Sequence, residues 1–353
     1  MLRHHPWLEE SRDFRATISN LKDEVTEVDP IKIAIIDDGI DASLSIFSGQ
    51  IQAGWSFHDA PEGGAFDDHS YTTSDTLNHG SMVATLVCTM CPKVKLYICR
   101  VDVRASSTGS RSISAEAAAQ VGCSCQLRDV CSPTDDNQAV AWATGQAVEI
   151  ICMGWTIKED TDNIQANTLE EILTAAHNRD IIMISSASSQ RDISMNTRPV
   201  DSGKSIRIGA LSATGDKSSF VYPGDVDFFF PGEGITLEVA GEYVPIGATY
   251  EGSDVATAIA AGTAGLLLYL DRLAWKWDRT WDDRAFDPIQ GRTAMWNMIE
   301  SLSPWGKRCP SLEVFSVFDE TTFEYSLGEF CMRLAVILDL PYVSQTRNQS
   351  TNP

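Results

Sequence analysis

The sequence has few basic residues for its length. Its 353 residues include 27 lysines and arginines against 49 aspartates and glutamates, a formal net charge of −22 at pH 7. Because nucleic acids and anionic membrane surfaces repel such a chain, the charge argues against both as partners. The simplest consequence is solubility, and the alternative is binding of a cation or a basic partner.

Long hydrophobic runs are also missing. The first ten residues contain no apolar core, so the sequence predicts no signal peptide and a cytoplasmic location. The apolar run at residues 258–268 meets Asp271 before the roughly 20 residues that are needed to span a bilayer. The sequence therefore predicts no membrane segment.

The cysteines do not match a disulfide framework. Nine is an odd number, and a chain of this length does not need disulfide bonds, so we expect reduced thiols. Cys88 and Cys91 form a single Cys-x-x-Cys pair at the end of an apolar helix, with no second pair nearby. A structural role is favoured over metal binding, and we expect no metal cofactor.

Strand and helix patterns alternate along the chain. Residues 31–36 are almost all apolar and β-branched, which is typical of a strand buried in a parallel sheet. A helix pattern begins at His79, and the next strand pattern covers residues 94–101. The sequence predicts an α/β fold with a doubly wound parallel sheet.

We divide the chain into four segments, with one insertion. Residues 121–136 interrupt a helix pattern and are interpreted as an inserted surface loop, since longer loops cost little to close. The predicted segments are an N-terminal helix and linker (1–30), the α/β domain (31–272), a helical extension rich in tryptophan (273–343) and a disordered tail (344–353).

The stretch that begins at Gly252 predicts a buried helix with a reactive position at its start. Small and bulky apolar residues cover all sides of this helix, so it belongs in a core. Ser253 and Asp254 are both good residues for a helix N-terminus. Asp37 follows the first strand, where open α/β sheets bind ligands, although a capping role explains it equally well.

Three sequence blocks together resemble the subtilisin-like serine protease family (peptidase S8). They are the first strand with its Asp, the His-Gly-Ser-x-Val-Ala helix start, and Gly-Ser-x-Val-Ala-Thr-x-x-Ala-Ala-Gly. Their order matches that of the family, and we expect particular similarity to the intracellular subtilisin-like domains of fungal multidomain proteins. The resemblance implies a three-layer α/β fold and a peptide or protein as substrate or partner.

The resemblance also implies site residues. Asp37 corresponds to the acid that orients the histidine, and His79 to the general base. Asp254 falls in the position of the nucleophilic serine, and Ser253 falls one residue earlier, where threonine is usual. The expected nucleophile is therefore missing, and we expect His79 to lie between Asp37 and Asp254 as an imidazolium.

Other positions of the cleft also depart from the family pattern. Ser189 falls where an asparagine usually stabilises the oxyanion, and Gly154 and Trp155 fall on the substrate-binding strand. Acidic loop residues such as Asp67 and Asp68 leave structural calcium open as an alternative. Two hypotheses result: an inactive pseudoprotease that binds peptides or partners, and an active serine endopeptidase that uses Ser253.

Overall fold

The fold is an α/β sandwich built on one parallel sheet. The computed structural model describes residues 5–9, 12–21, 27–57, 70–73, 78–101, 103–105, 111–113, 139–155, 157–158, 164–187, 197–221, 226–237, 249–277, 289–304 and 308–311. The strands are β1 (Ile31–Asp37), β2 (Ile51–Ser56), β3 (Val94–Arg100), β4 (Val103–Ala105), β5 (Arg111–Ile113), β6 (Ile150–Met153), β7 (Ile157–Lys158), β8 (Ile182–Ser186), β9 (Thr197–Arg198), β10 (Ser205–Leu211) and β11 (Phe228–Pro231). The α-helices are α1 (Pro6–Glu9), α2 (Arg12–Asn20), α3 (His79–Met90), α4 (Ala139–Gly145), α5 (Ile164–His177), α6 (Ser253–Trp277) and α7 (Gly291–Ser301).

Seven parallel strands form the main sheet in the order β11-β10-β8-β6-β1-β3-β2. Strand β1 lies between β3 and β6, and its register runs from Ile31 opposite Val94 to Asp37 opposite Arg100. The chain first adds β2 and β3 on one side of β1, and it then adds β6, β8, β10 and β11 on the other side. The carboxyl end of β1 is therefore a switch point of the sheet, where α/β proteins place their ligands.

Helices cover both faces of this sheet. Alternate side chains of β1 point to opposite faces, as strand geometry requires. Ile33 and Ile35 pack in one hydrophobic core, whereas Ala34 and Ile36 pack in the other. Helices α3, α6 and α7 contribute to the first core, and α4 and α5 contribute to the second. The predicted three-layer doubly wound α/β fold is confirmed.

Helix α6 is the centre of the first core. Glycines let it approach its neighbours closely: a Cβ on Gly265 would lie 2.8 Å from Ile33 Cδ1, and one on Gly262 would lie 2.9 Å from the Val87 carbonyl oxygen. Within the described chain it is the one helix long and apolar enough to cross a membrane, yet 94% of its most apolar stretch is buried in the protein. Its apolar surface is thus already covered, and the helix continues through Asp271 to Trp277.

The N-terminal segment packs into the same core. The sequence predicts one helix there, and the structure has two short ones, α1 and α2. Trp7 stacks edge-on against Phe230 and donates a hydrogen bond to the Pro310 carbonyl oxygen at 2.8 Å. The insertion at 121–136, the tail at 344–353 and much of the extension lie outside the described residues.

Candidate active site

Asp37 ends the central strand β1 and is 5% exposed. The apolar, β-branched residues before it favour a strand, and the sheet carries the carboxylate to its carboxyl edge. The carboxylate accepts a hydrogen bond from the backbone N–H of Asp38 at 2.9 Å. It is thus a buried negative charge with a fixed direction.

His79 is the first residue of helix α3. Asn78 caps this helix, because its side-chain oxygen accepts a hydrogen bond from the Ser81 N–H. The cap fixes where the helix begins and so directs the imidazole at β1. His79 Nδ1 lies 2.8 Å from Asp37 Oδ2 and 2.9 Å from Asp37 Oδ1.

Asp254 completes the site from helix α6. Its Oδ2 lies 2.6 Å from His79 Nε2, and its Oδ1 accepts a hydrogen bond from the Val255 N–H at 2.9 Å. The preceding Gly252 has a φ of +153°, and a Cβ there would overlap the Asp254 carboxylate. Only glycine fits this turn, so the sequence sets both the turn and the direction of Asp254.

The charges of these three side chains are coupled. Burial by itself would lower the pKa of His79, but the Asp37 and Asp254 carboxylates outweigh it and raise that pKa to about 10. His79 is therefore an imidazolium at neutral pH and donates one N–H to each carboxylate. The Asp254 side chain is 25% exposed.

A second set of hydrogen bonds ties the loop after β1 to the start of α3. Asp38 Oδ1 accepts from the Gly80 N–H at 2.7 Å and from Asn78 Nδ2 at 2.9 Å. Asn78 Nδ2 also donates to the Gly39 carbonyl oxygen. A Cβ on Gly80 would overlap that same oxygen. This latch of Asp38, Asn78 and Gly80 holds Asp37 and His79 at a fixed separation.

Roles for Asp38 and Asn78 within such a latch were not predicted from the sequence. The available signal was the second acid of the Asp37-Asp38-Gly39 turn, together with the asparagine directly before His79. Neither residue indicates a partner by itself, because the two lie 40 positions apart in the chain. Their pairing depends on how the strand end and the helix start approach each other.

Ser253 does not join the three charged side chains. The residue is 4% exposed, and its Oγ has no hydrogen-bond partner within the part of the chain that the structure describes. His79 Nε2 instead contacts Asp254. Ser189, the predicted oxyanion donor, lies outside the described residues.

The two predicted cleft residues have different environments. A Cβ on Gly154 would lie 3.3 Å from Asp254 Cβ and 3.8 Å from His79 Cε1, so this glycine lies directly against the site. Trp155 is 5% exposed, belongs to the second core and donates its indole N–H to the Ile36 carbonyl oxygen. Its ring is therefore part of the core.

The site can hold a proton and a negative charge, but none of the described residues offers a hydroxyl to His79 Nε2, which contacts Asp254. In the described ranges, no group of three or more His, Cys, Asp or Glu side chains is arranged to hold a metal ion. Asp67 and Asp68 lie outside those ranges. The chemistry available here is therefore that of a carboxylate beside a buried imidazolium.

Comparison with known proteins agrees with this architecture. Residues 29–283 match the sequence model of the Subtilase family. A lanthipeptide protease has a similar structure, with a TM-score of 0.59 at 14% identity over 87% of this chain and 89% of that one. The epidermin leader peptide processing serine protease from Staphylococcus aureus gives 0.54 at 13% identity, over 87% of this chain and 80% of that one.

A cold adapted subtilisin-like serine proteinase is similar as well, with a TM-score of 0.51 at 19% identity over 78% of this chain and 83% of that one. At such identities the structural likenesses support the fold alone. No curated protein sequence matches the chain.

Proposed function

The chain belongs to the subtilase family, and from that premise we propose that it is a pseudoprotease, which binds a peptide or protein partner without cleaving it. Peptide hydrolysis in such a fold needs a hydroxyl that the histidine can deprotonate. In subtilisin, loss of that serine alone lowers turnover by about 10⁶. The proposal therefore depends on which side chain faces His79.

The contact between His79 Nε2 and Asp254 Oδ2 is the observation that carries the proposal. A carboxylate has no proton for His79 to remove, and it attacks an amide carbonyl far more weakly than an alkoxide does. The two carboxylates also keep His79 protonated at neutral pH. A protonated histidine cannot act as a general base.

The alternative is an active endopeptidase that uses Ser253. Successive helical residues differ in direction by about 100°, so Ser253 and Asp254 cannot present their side chains to His79 in the same way. The burial of Ser253 and the lack of a partner for its Oγ among the described residues also disfavour this alternative. An active Ser253 would require the first turn of α6 to shift and Asp254 to leave His79.

The binding half of the proposal rests on the cleft beside Asp254. Gly154 directly follows β6 and has no side chain to separate it from Asp254, whose side chain is a quarter exposed. The lanthipeptide protease and the leader-peptide-processing enzyme are by their names proteases of peptides. We therefore propose a peptide segment as the ligand.

A fluorophosphonate probe tests the proposal, since it labels an activated serine. We expect no labelling of the unaltered chain and labelling of the Asp254→Ser variant. The Asp254→Ser/His79→Ala double variant is the control and should lose this labelling. Labelling of the unaltered chain that disappears in Ser253→Ala would overturn the proposal in favour of the active endopeptidase.

Three further parts of the sequence-based picture stay predictions. They are the cytoplasmic location, the similarity to domains of fungal multidomain proteins, and the choice between no cofactor and structural calcium. A rise in the unfolding temperature with added calcium would favour the calcium alternative.

A further inference from the structure

The environment of Asp254 suits a reaction other than peptide hydrolysis. A carboxylate is a poor nucleophile toward an amide, but carboxylates do form covalent ester intermediates in enzymes. Attack on the strained carbon of an epoxide is easier, because it opens the ring and needs only a proton for the ring oxygen. His79 holds such a proton on Nε2, next to the carboxylate.

We propose that Asp254 is a nucleophile toward small epoxides and that His79, oriented by Asp37, protonates the opened ring and then drives hydrolysis of the ester. This inference goes beyond peptide binding and does not depend on it. It requires a free lone pair on the carboxylate, access to that lone pair, and an acid and base beside it.

The described contacts meet these requirements. A carboxylate offers about four lone-pair sites, and the contacts from His79 and Val255 use two of them. The Asp254 side chain is a quarter exposed, and Gly154 has no side chain that could cover it. The start of helix α6 also favours a negative charge at this position.

The first step forms an ester. A carboxylate oxygen of Asp254 attacks one epoxide carbon, a carbon–oxygen bond forms, and the ring carbon–oxygen bond breaks. The ring oxygen takes the proton from His79 Nε2 and becomes a hydroxyl group. The products are a hydroxyalkyl ester on Asp254 and a neutral His79.

The second step uses the change of charge that the first has caused. Esterification removes the negative charge of Asp254, one of the two charges that raise the pKa of His79. The neutral His79 can now accept a proton from water as that water attacks Asp254 Cγ. When the tetrahedral intermediate collapses, the ester carbon–oxygen bond breaks, and the leaving alkoxide takes that proton.

The carboxylic acid left on Asp254 then returns its proton to His79. In sum, epoxide and water give a diol, and the site regains its starting charges. Nδ1 stays bound to Asp37 throughout, which keeps Nε2 directed at Asp254.

The test uses 1,2-epoxy-3-(4-nitrophenoxy)propane with the full chain in water enriched in oxygen-18. We expect diol formation and, by peptide mass mapping, oxygen-18 in the side chain of Asp254. Asp254→Asn should form no diol above the background of the buffer. His79→Gln should accumulate the ester, because no base is left to hydrolyse it. Because His79→Gln also lacks the acid, ester formation in this variant should be slower than in the unaltered chain by on the order of 10²-fold.

Asp201→Asn is the matched control, because Asp201 is an exposed aspartate in the short 3₁₀ helix Val200–Ser202 and not in helix α6. This variant should react like the unaltered chain.

The proposal is overturned if neither ester nor diol exceeds the Asp254→Asn level. It is also overturned if oxygen-18 enters only the diol in a single turnover, since water would then have attacked directly. The isotope measurement uses the unaltered chain, so it does not depend on the folding of any variant. Fluorophosphonate reports on a hydroxyl, so this outcome is separate from that of the pseudoprotease test.

Discussion

Helix α6 carries two aspartates in opposite situations. Asp254, in its first turn, meets the His79 imidazolium and the Val255 N–H. Asp271, 17 positions further along the helix, is 2% exposed and accepts one hydrogen bond, from the Ile289 N–H at 3.1 Å. Its Oδ1 has no partner within the described ranges. The carboxylate of Asp254 thus has a positively charged partner, whereas among the described residues that of Asp271 has a single backbone N–H.

The pKa values follow this contrast. Burial raises the pKa of Asp271 to about 6, and the hydrogen bond from the Ile289 N–H only partly opposes this rise. At the other end of the helix, carboxylates raise the pKa of His79 to about 10 in spite of burial. A buried charge in this protein is tolerated where its opposite charge is buried with it.

Removing the cation should have the largest effect on stability. His79→Ala leaves Asp37 and Asp254 facing a space without positive charge, and breaking a buried pair in this way costs about 3–5 kcal/mol. Urea unfolding at pH 7 measures the change in the free energy of unfolding. The His79→Ala/Asp254→Asn double variant is the control and should recover part of the loss. A loss below about 1 kcal/mol in the single variant would mean that the three charges are not coupled as described.

Asp271 should have the next largest effect, and a pH-dependent one. Between its ordinary pKa of 3.8 and about 6, the folded chain holds a proton that the unfolded chain has lost. The free energy of unfolding therefore falls as the pH rises through this window, by about 3 kcal/mol in total. Asp271→Asn should lack this pH dependence. Its free energy of unfolding should therefore rise relative to that of the unaltered chain from pH 4 to pH 7.

Urea unfolding at several pH values, with Asp201→Asn as an exposed control, measures this term. A difference between Asp271→Asn and the unaltered chain that stays constant with pH would show that Asp271 is not buried as a neutral acid.

The latch predicts a smaller loss. Asp38→Ala leaves the Gly80 N–H and Asn78 Nδ2 without their shared acceptor, and such unsatisfied groups cost about 1–3 kcal/mol. Asp38→Asn keeps an acceptor oxygen in the same place and should lose less. Thermal unfolding of the two variants compares them, and equal losses would mean that the acceptor does not hold the latch.

Ser253 should have the smallest effect. Its Oγ is buried without a hydrogen-bond partner among the described residues, so Ser253→Ala should leave the free energy of unfolding unchanged or raise it by up to about 1 kcal/mol. Urea unfolding checks this value. A loss of 2 kcal/mol or more would show that the hydroxyl makes a contact that the structure does not record.

The convergence of Asp37, His79 and Asp254 is implied by the resemblance to the subtilisin-like family, and the fold supplies a physical reason for it. The carboxyl end of a buried central strand and the starts of two buried helices meet at one edge of a doubly wound sheet. The apolar strand that ends at Asp37 and the turn at Gly252 are local sequence patterns. A single sequence is therefore enough to locate them.

The latch and the environment of Asp271 could not be predicted in this way. Asp38 meets Asn78 only because two loops approach each other. Asp271 receives its one hydrogen bond from Ile289, 18 positions along the chain. A pattern of residue types within one segment does not contain such contacts between distant segments. The predicted oxyanion role of Ser189 falls outside the described residues and stays a prediction.

The protonation state of His79 tests the central claim most directly, because it depends on a carboxylate in the nucleophile position. Ring ¹⁵N–¹H spectra of the unaltered chain should show an imidazolium at pH 8, where a histidine of ordinary pKa 6.5 is neutral. Asp254→Asn should lower the pKa of His79, and Asp271→Asn should leave it unchanged. A neutral His79 at pH 7 in the unaltered chain would contradict the claim.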